Sequence, residues 1–286
     1  MMILLQGFLE ALPFLGIGSV LLFLFYKIHD WITPFKDLEE IQSGNQAAAI
    51  SVGAAYIGAG LSMLGSLIYS TESYWVDVMI FVIDGVLIIA VFSLSVYCFD
   101  WVILRKVNNL QEIKGGNKAV AFVEGCAKIA LGLILCAAFS GGDTTFWTGI
   151  ASAGTFSIIG TLTLLLVYFG YDQLATKGIL DLKLKQKNMA AAYDAGTLLF
   201  AAGICLWFSI SGDFMGWLIG ITTYLMATIL SIGILLALRI AAIRLNSIED
   251  AYEYEGTNAP ARAILIGCLT IIISTTINVI TYRILL

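Results

Sequence analysis

Asp84, Glu124, Lys128 and Asp194 each interrupt a long run of apolar residues. An ionisable group among such neighbours needs a counter-ion, a proton or water. Glu124 and Lys128 are four residues apart, which on a helix places them on one face in the favourable acid-before-base order. Counted inward from opposite ends of their runs, Lys128 lies about ten residues deep and Asp84 about nine, so at about 1.5 Å per residue both reach a similar depth. The natural grouping is a cluster of Asp84, Glu124 and Lys128. Three acids then face one base, so one carboxyl must carry a proton or hold a cation. Asp194, beside Tyr193 and two residues before Gly196, is the expected holder. The chemistry these types and spacings allow is proton or small-cation passage. The competing reading is a satisfied buried network that pins helices together.

Little else in the chain offers chemistry. The five cysteines (Cys98, Cys126, Cys136, Cys205 and Cys268) all fall in apolar runs without CxxC or Cys/His spacing, so they read as small packing residues rather than a disulfide framework or a metal site. The single histidine, His29, stands beside Asp30 in a polar connection and reads as solvated; no HExxH, Walker or GxSxG sequence is present. No catalytic residue, metal or cofactor is expected, and the chain does not read as an enzyme. Asn278, in the last apolar run, reads as a helix-to-helix hydrogen bond.

The elements that must position these residues follow from composition. Of 286 residues, 59% are hydrophobic and only 12% charged, whereas a soluble domain carries about 25% charged residues. The solvent for most of the chain is lipid. Continuous apolar runs exclude a β-barrel, whose strands alternate. Runs near the twenty residues that cross a bilayer fall at 8–26, 46–69, 75–99, 118–140, 147–171, 189–210, 215–238 and 260–282, giving an all-α integral membrane protein of eight transmembrane helices. A net charge of −5 offers nothing to nucleic acid.

Distribution of charge sets the orientation. The connections after the first, third, fifth and seventh spans, with their helix ends, hold 13 of the 15 Lys and Arg residues, Arg239 counted among them; the other gaps carry Glu72, Asp143 and Asp213 and no base. By the positive-inside rule the basic connections are cytoplasmic and both termini lie outside. Met1 to Gly7 lacks the basic residues of a signal peptide. Trp31, Trp75, Trp101, Trp147 and Trp217 at span ends form the expected interfacial belt. The lysine-rich connection Lys177 to Lys187 reads as a solvated loop that could also rest on anionic lipid. The acidic stretch Glu249 to Glu255, with Tyr252 and Tyr254, reads as a docking edge for a basic cytoplasmic protein partner.

Each basic connection ends in an asparagine ahead of an apolar helix: Asn45, Asn117, Asn188 and Asn258, spaced 72, 71 and 70 residues apart. Eight positions after the first three stand Gly53, Gly125 and Gly196, with Gly267 displaced by one in the fourth. The asparagines are expected as N-caps, whose side-chain oxygens accept from backbone N–H groups that lipid cannot satisfy. Small residues at every fourth place, Ala54, Gly58, Ser62 and Ser66 and then Gly132, Cys136 and Ser140, predict tight helix packing. The unit is a helix hairpin of about seventy residues, and four such units insert the same way round as parallel repeats. They could ring an axis or pair as two four-helix bundles.

The stretch from Thr33-Pro34 through Leu38-Glu39-Glu40-Ile41 to the Gly44-Asn45-x-Ala-Ala helix start resembles the YjfL-like family of bacterial inner-membrane proteins (DUF350), a domain of unknown function with four spans. The chain is similar to two such domains in tandem, 1–143 and 144–286, as two homologous four-helix halves; the second lacks the Thr-Pro, and Pro260 replaces an alanine in its last motif. The resemblance implies fold and a bacterial cytoplasmic (inner) membrane location, and no activity.

The functional expectation is a channel-like or transporter-like conduit for a small cation or proton, lined or gated by Asp84, Glu124, Lys128 and Asp194, in the lipid bilayer and able to form an oligomer. The alternative is a membrane scaffold or stress-response component that recruits cytoplasmic partners and transports nothing.

Overall fold

The computed structural model describes the chain except for residues 1, 34–35, 69–70, 72, 103–107, 143–144, 175, 246–257 and 286. The acidic stretch 249–255, Glu72, Asp143, Arg105 and Lys106 lie outside the described residues. Among those described, all regular structure is helical. Eight long helices, α1 (Met2–Ile32), α3 (Gln46–Ile68), α4 (Tyr74–Val102), α6 (Lys118–Ala138), α7 (Phe146–Leu174), α9 (Met189–Ile210), α10 (Trp217–Leu245) and α11 (Ala259–Leu285), are each long and apolar enough to cross a bilayer. The expected spans match these in number and order. Trp31, Trp75, Trp147 and Trp217 are exposed at their ends.

Three six-residue helices were read as connections and emerge as structure: α2 (Asp37–Gln42), α5 (Asn109–Lys114) and α8 (Leu180–Lys185). Each ends in a residue of left-handed backbone, Gly44 (φ 88°), Gly116 (φ 75°) or Lys187 (φ 62°), directly before the asparagine. Glycine adopts this conformation without steric cost; Lys187 adopts it with a side chain. The ends of two outer helices are tied to these short ones: His29 of α1 bonds Asp37, and Asp172 of α7 accepts from Leu180 N.

Packing separates the long helices into two layers. The helices that follow the asparagines form an inner row in the order α3, α6, α9, α11, each packed along its length on the next. The others lie outside that row: α4 rests against α3 and α6, α7 against α6 and α9, α10 against α9 and α11, while α1 touches α3 and α4. The row does not close. No extensive contact joins α11 to α3 among the described residues, and packing runs from α6 to α9 without a break at residue 143. The helices are therefore neither ringed about an axis nor split into two bundles.

Small side chains make the inner row possible. Gly58 on α3 and Gly132 on α6 lie backbone to backbone, so that a Cβ on either would collide with main-chain atoms of the other helix. Farther along the same pair, Gly65 sits against the main chain of Cys136, and Gly203 of α9 against Ala130. Between helices in lipid, where no hydrophobic driving force operates, such close approach supplies the dispersion contact that holds them together.

Candidate functional site

Asn45, Asn117 and Asn188 cap their helices through the side chain, and the first two also join neighbours. Asn45 Oδ1 accepts from Ala47 N (3.1 Å) and Ala48 N (3.2 Å), Asn117 Oδ1 from Ala119 N (3.1 Å) and Val120 N (3.3 Å), and Asn188 Oδ1 from Ala191 N (3.0 Å). At Asn258 the backbone carbonyl accepts from Arg262 N (3.1 Å). The amide nitrogens reach sideways. Asn45 Nδ2 donates to Ile113 O (3.0 Å) at the end of α5, and Asn117 Nδ2 to Leu184 O (2.9 Å) at the end of α8. Each also holds a glutamate five residues back, Glu40 (3.1 Å) and Glu112 (2.9 Å). Ile113 O and Leu184 O also accept from the backbone N of Gly116 and Lys187 (each 2.9 Å), so the asparagine takes the second lone pair of each carbonyl and ties the end of that short helix to the adjacent hairpin.

The first buried charge pair lies where α3 meets α6. Lys128 Nζ donates to Glu124 Oε1 and to Ser51 Oγ (2.8 Å), and Ser51 Oγ is itself 2.7 Å from Glu124 Oε1. Both charged side chains are nearly inaccessible, and Glu124 Oε2 has no hydrogen-bond partner among the described residues. The helix spacing made the pair legible; Ser51 was not foreseen.

Asp84 does not join this group. It sits half-buried on α4 and makes no hydrogen bond or ion pair among the described residues. Depth alone suggested the three-residue cluster, but the Lys128 ammonium turns toward α3 while Asp84 projects from the outer layer.

A second pair corrects the assignment of Asp194. Instead of being the acid without a base, Asp194 on α9 accepts from Arg239 Nη2 and from Tyr171 Oη. Arg239 also donates to Thr270 Oγ1 (3.4 Å), and its guanidinium lies 5.5 Å from the centre of the Tyr171 ring. Four helices, α7, α9, α10 and α11, thus converge on one buried salt bridge. Arg239 had been placed in a cytoplasmic connection; α10 continues to Leu245, which draws it inside. With two buried bases for three acids, the carboxyl left over is that of Asp84.

Two further corrections concern polar groups. His29 is not solvated: its Nδ1 is 2.7 Å from Asp37 Oδ2, a carboxylate only 1% exposed, whose backbone N donates to Asp30 Oδ1 (3.0 Å). From Arg239, a line of buried polar side chains follows α10 and α11 through the bilayer depth: Thr270, Ser274, Asn278, Ser231, Thr228 and Tyr224. Tyr224 Oη is 2.7 Å from Thr163 Oγ1, and Asn278 Nδ2 has no partner among the described residues. The spacing of Tyr224, Thr228 and Ser231 on one helical face was the available signal. Among the described residues no cluster of His, Cys, Asp and Glu is placed to hold a metal ion.

Comparison with known proteins agrees with the membrane architecture. Residues 2–139 match the family described as Domain of Unknown Function (DUF350). A UPF0719 transmembrane protein of Aquifex aeolicus (strain VF5) is 28% identical over 180 residues, which cover 62% of this chain and 63% of that protein. The UPF0719 transmembrane protein YshE of Bacillus subtilis (strain 168) is 25% identical over 129 residues, 45% of this chain and 91% of that protein. The chain thus spans just under two thirds of the first relative. No solved structure matches. Eight apolar helices and relatives named as transmembrane proteins make this a multi-pass membrane protein.

Proposed function

We propose that this chain, a member of the DUF350 family through residues 2–139, is a narrow conduit for protons or a small cation across the bacterial cytoplasmic membrane. Its basic connections face the cytoplasm and both termini lie outside, the orientation that positive-inside charge favours. The chain reads as four parallel hairpins in two four-span halves; YshE, matched over 91% of its length by 45% of this chain, supports the four-span unit.

The observation that carries the reading is the buried polar line of the second half. From Tyr224 to Arg239 along α10 is about 22 Å at 1.5 Å per residue, most of the roughly 30 Å hydrocarbon thickness. Polar groups at that depth are costly unless paired or wet, and the unpartnered Asn278 Nδ2 is a place where water completes the network. Packing around the line is close, which suits a proton passing between hydroxyls and waters better than a hydrated ion. At one end Asp194 and Arg239 supply a buried pair whose rearrangement gates the line. Asp84, the unmatched carboxyl, is the group a cation or proton must neutralise in the first half.

The test is ion flux in proteoliposomes under imposed proton, sodium and potassium gradients, with Asp194→Asn, Asp84→Asn and Asn278→Leu beside the wild type. A selective flux lost in Asp194→Asn and Asn278→Leu, with folding intact, is expected. Flux retained in all three variants refutes the assignment. A silent, folded wild type moves the weight to the scaffold reading, which draws on the mutual satisfaction of the two buried ion pairs.

A further inference from the structure

The open end of the inner row leaves a space that the rest of the row fills. Gly125 and Gly132 on α6, and Gly196 and Gly203 on α9, stand eight and fifteen residues after their asparagines, and each lies against the preceding inner helix. Gly53 and Gly60 hold the same places on α3. Among the described residues no inner helix packs on this face of α3, and no neighbouring element places an atom within 4 Å of where a Cβ would stand at either residue. Near Gly60, α1 and α4 flank this vacancy and form with α3 a cavity of about 620 Å³ that opens widely to the surface, within the range of small-molecule sites.

A comparison with the second half shows what is particular to this cavity. Asn45 and Asn188 are 143 residues apart, and the same offset relates Ser66 to Ser209 and Phe81 to Tyr224. Those second-half residues line a much smaller cavity of about 130 Å³, into which Phe156 and Phe214 also project. The larger cavity is lined chiefly by apolar side chains, with two carboxylates, Glu10 and Asp77, and no Lys, Arg or His among the described residues. At the same offset the second half has Ala153 and Gly220. The first half therefore keeps the space and a carboxylate at each of these two positions, whereas the smaller cavity has Asp213 as its lining carboxylate, at a different place. Its rim residues Leu15 and Leu64 are exposed on the lipid-facing surface, so the entry is from the bilayer.

We propose that this cavity binds a hydrophobic organic cation: an amphiphile whose apolar body fills the space beside Gly60 and whose ammonium-like head is held between Glu10 and Asp77. Asp77 is already oriented, since its Oδ1 accepts from Thr71 N (2.7 Å). Tyr74 braces the wall by donating its hydroxyl to Glu10 O (3.0 Å), which ties α4 to α1 across the mouth. Asp77 stands about one turn inside the start of α4 and Glu10 about two turns inside the start of α1, toward the end of the span, where a cationic head remains near interfacial water while its tail enters the hydrocarbon. This inference is independent of the conduit reading.

The experiment uses the full chain in nanodiscs of zwitterionic lipid and compares two probes of the same shape and opposite charge, tetraphenylphosphonium and tetraphenylborate. Saturable binding of the cation at about one per chain is expected, with the anion at the background of empty nanodiscs. Replacing Glu10→Gln and Asp77→Asn together weakens cation binding by about 10-fold or more, as loss of a charge partner does. Gly60→Leu fills the cavity without meeting backbone and removes the saturable component. Gly53→Leu, also into open space on α3 but outside the cavity, leaves it intact and reports that the substituted helix still folds. Absence of saturable cation binding by the wild type overturns the proposal. Equal binding of both probes, an affinity within about two-fold in the double variant, or equal loss in Gly53→Leu and Gly60→Leu does the same.

Discussion

Removing the ammonium of Lys128 isolates what its buried pair contributes. In Lys128→Met a side chain of similar length and no charge stands between α3 and α6. Glu124 then keeps only Ser51 Oγ, at 2.7 Å, because its second oxygen has no partner to begin with. A carboxylate this buried, deprived of its counter-ion, costs about 3–5 kcal/mol. A Coulomb estimate at about 3 Å with an effective dielectric of about 20 gives roughly 5 kcal/mol as a ceiling. The double variant Glu124→Gln, Lys128→Met carries no charge at the interface. It should return to within about 2 kcal/mol of the wild type, since well-packed uncharged substitutes for buried pairs are often neutral. Equilibrium unfolding of the purified protein in mixed micelles measures all three. A loss below about 1 kcal/mol in Lys128→Met, or a double variant less stable than the single one, would refute the claim that Glu124 depends on Lys128.

Two other perturbations test the row. Asn117→Ala removes a cap worth about 1 kcal/mol and the bond to Leu184 O, a carbonyl that keeps the backbone N–H of Lys187 (2.9 Å), at about 0.5–1.5 kcal/mol, so a loss of about 2 kcal/mol is expected. Asn45→Ala, whose partner groups are partly exposed, should cost about half as much because water replaces the amide, and unfolding of the two variants side by side decides it. Gly132→Ala drives a methyl group into the Gly58 main chain and should lose about 1–3 kcal/mol. Gly53→Ala meets nothing and should be neutral or gain up to about 1 kcal/mol; equal effects at the two glycines would contradict the open end of the row.

What the sequence discloses and what it conceals divide along physical lines. Span number and order follow from hydrophobic length, which needs no tertiary information. The asparagine caps follow from the N–H groups a helix start leaves unpaired. Asp84 was misgrouped because residue counting measures depth, while ion pairing also depends on how each helix is rotated and in which layer it lies. Arg239 was missed for a smaller reason: hydropathy ended the seventh span at residue 238, one residue short, and that shifted a buried base into a solvated connection. Tyr224, Thr228 and Ser231 on one face, continued through Leu235, point to Arg239 and were the signal within reach. Ser51 had a comparable signal, standing six residues after Asn45 as Asp194 stands six after Asn188. The short helices α2, α5 and α8 were concealed because six residues carry too little periodicity to separate a helix from a polar loop.

The near-constant spacing of the asparagines has its cause in their second bond. A cap alone would fix only the start of its own helix and would leave the length of the following connection free. Because Asn45 also reaches the carbonyl of Ile113, and Asn117 that of Leu184, each hairpin must present the end of its short helix at one height beside the previous cap. An inserted residue would lift that carbonyl out of reach, so the period stays near seventy-one. The same bond explains why the first hairpin differs. Among the described residues no asparagine grips α2, and Ile41, which corresponds to the fully buried Ile113 and Leu184, is 36% exposed. There α2 is held instead by His29 and Asp37. The features without counterparts farther along the row, the histidine latch and the acidic cavity beside Gly60, therefore gather where a stacked array has to end.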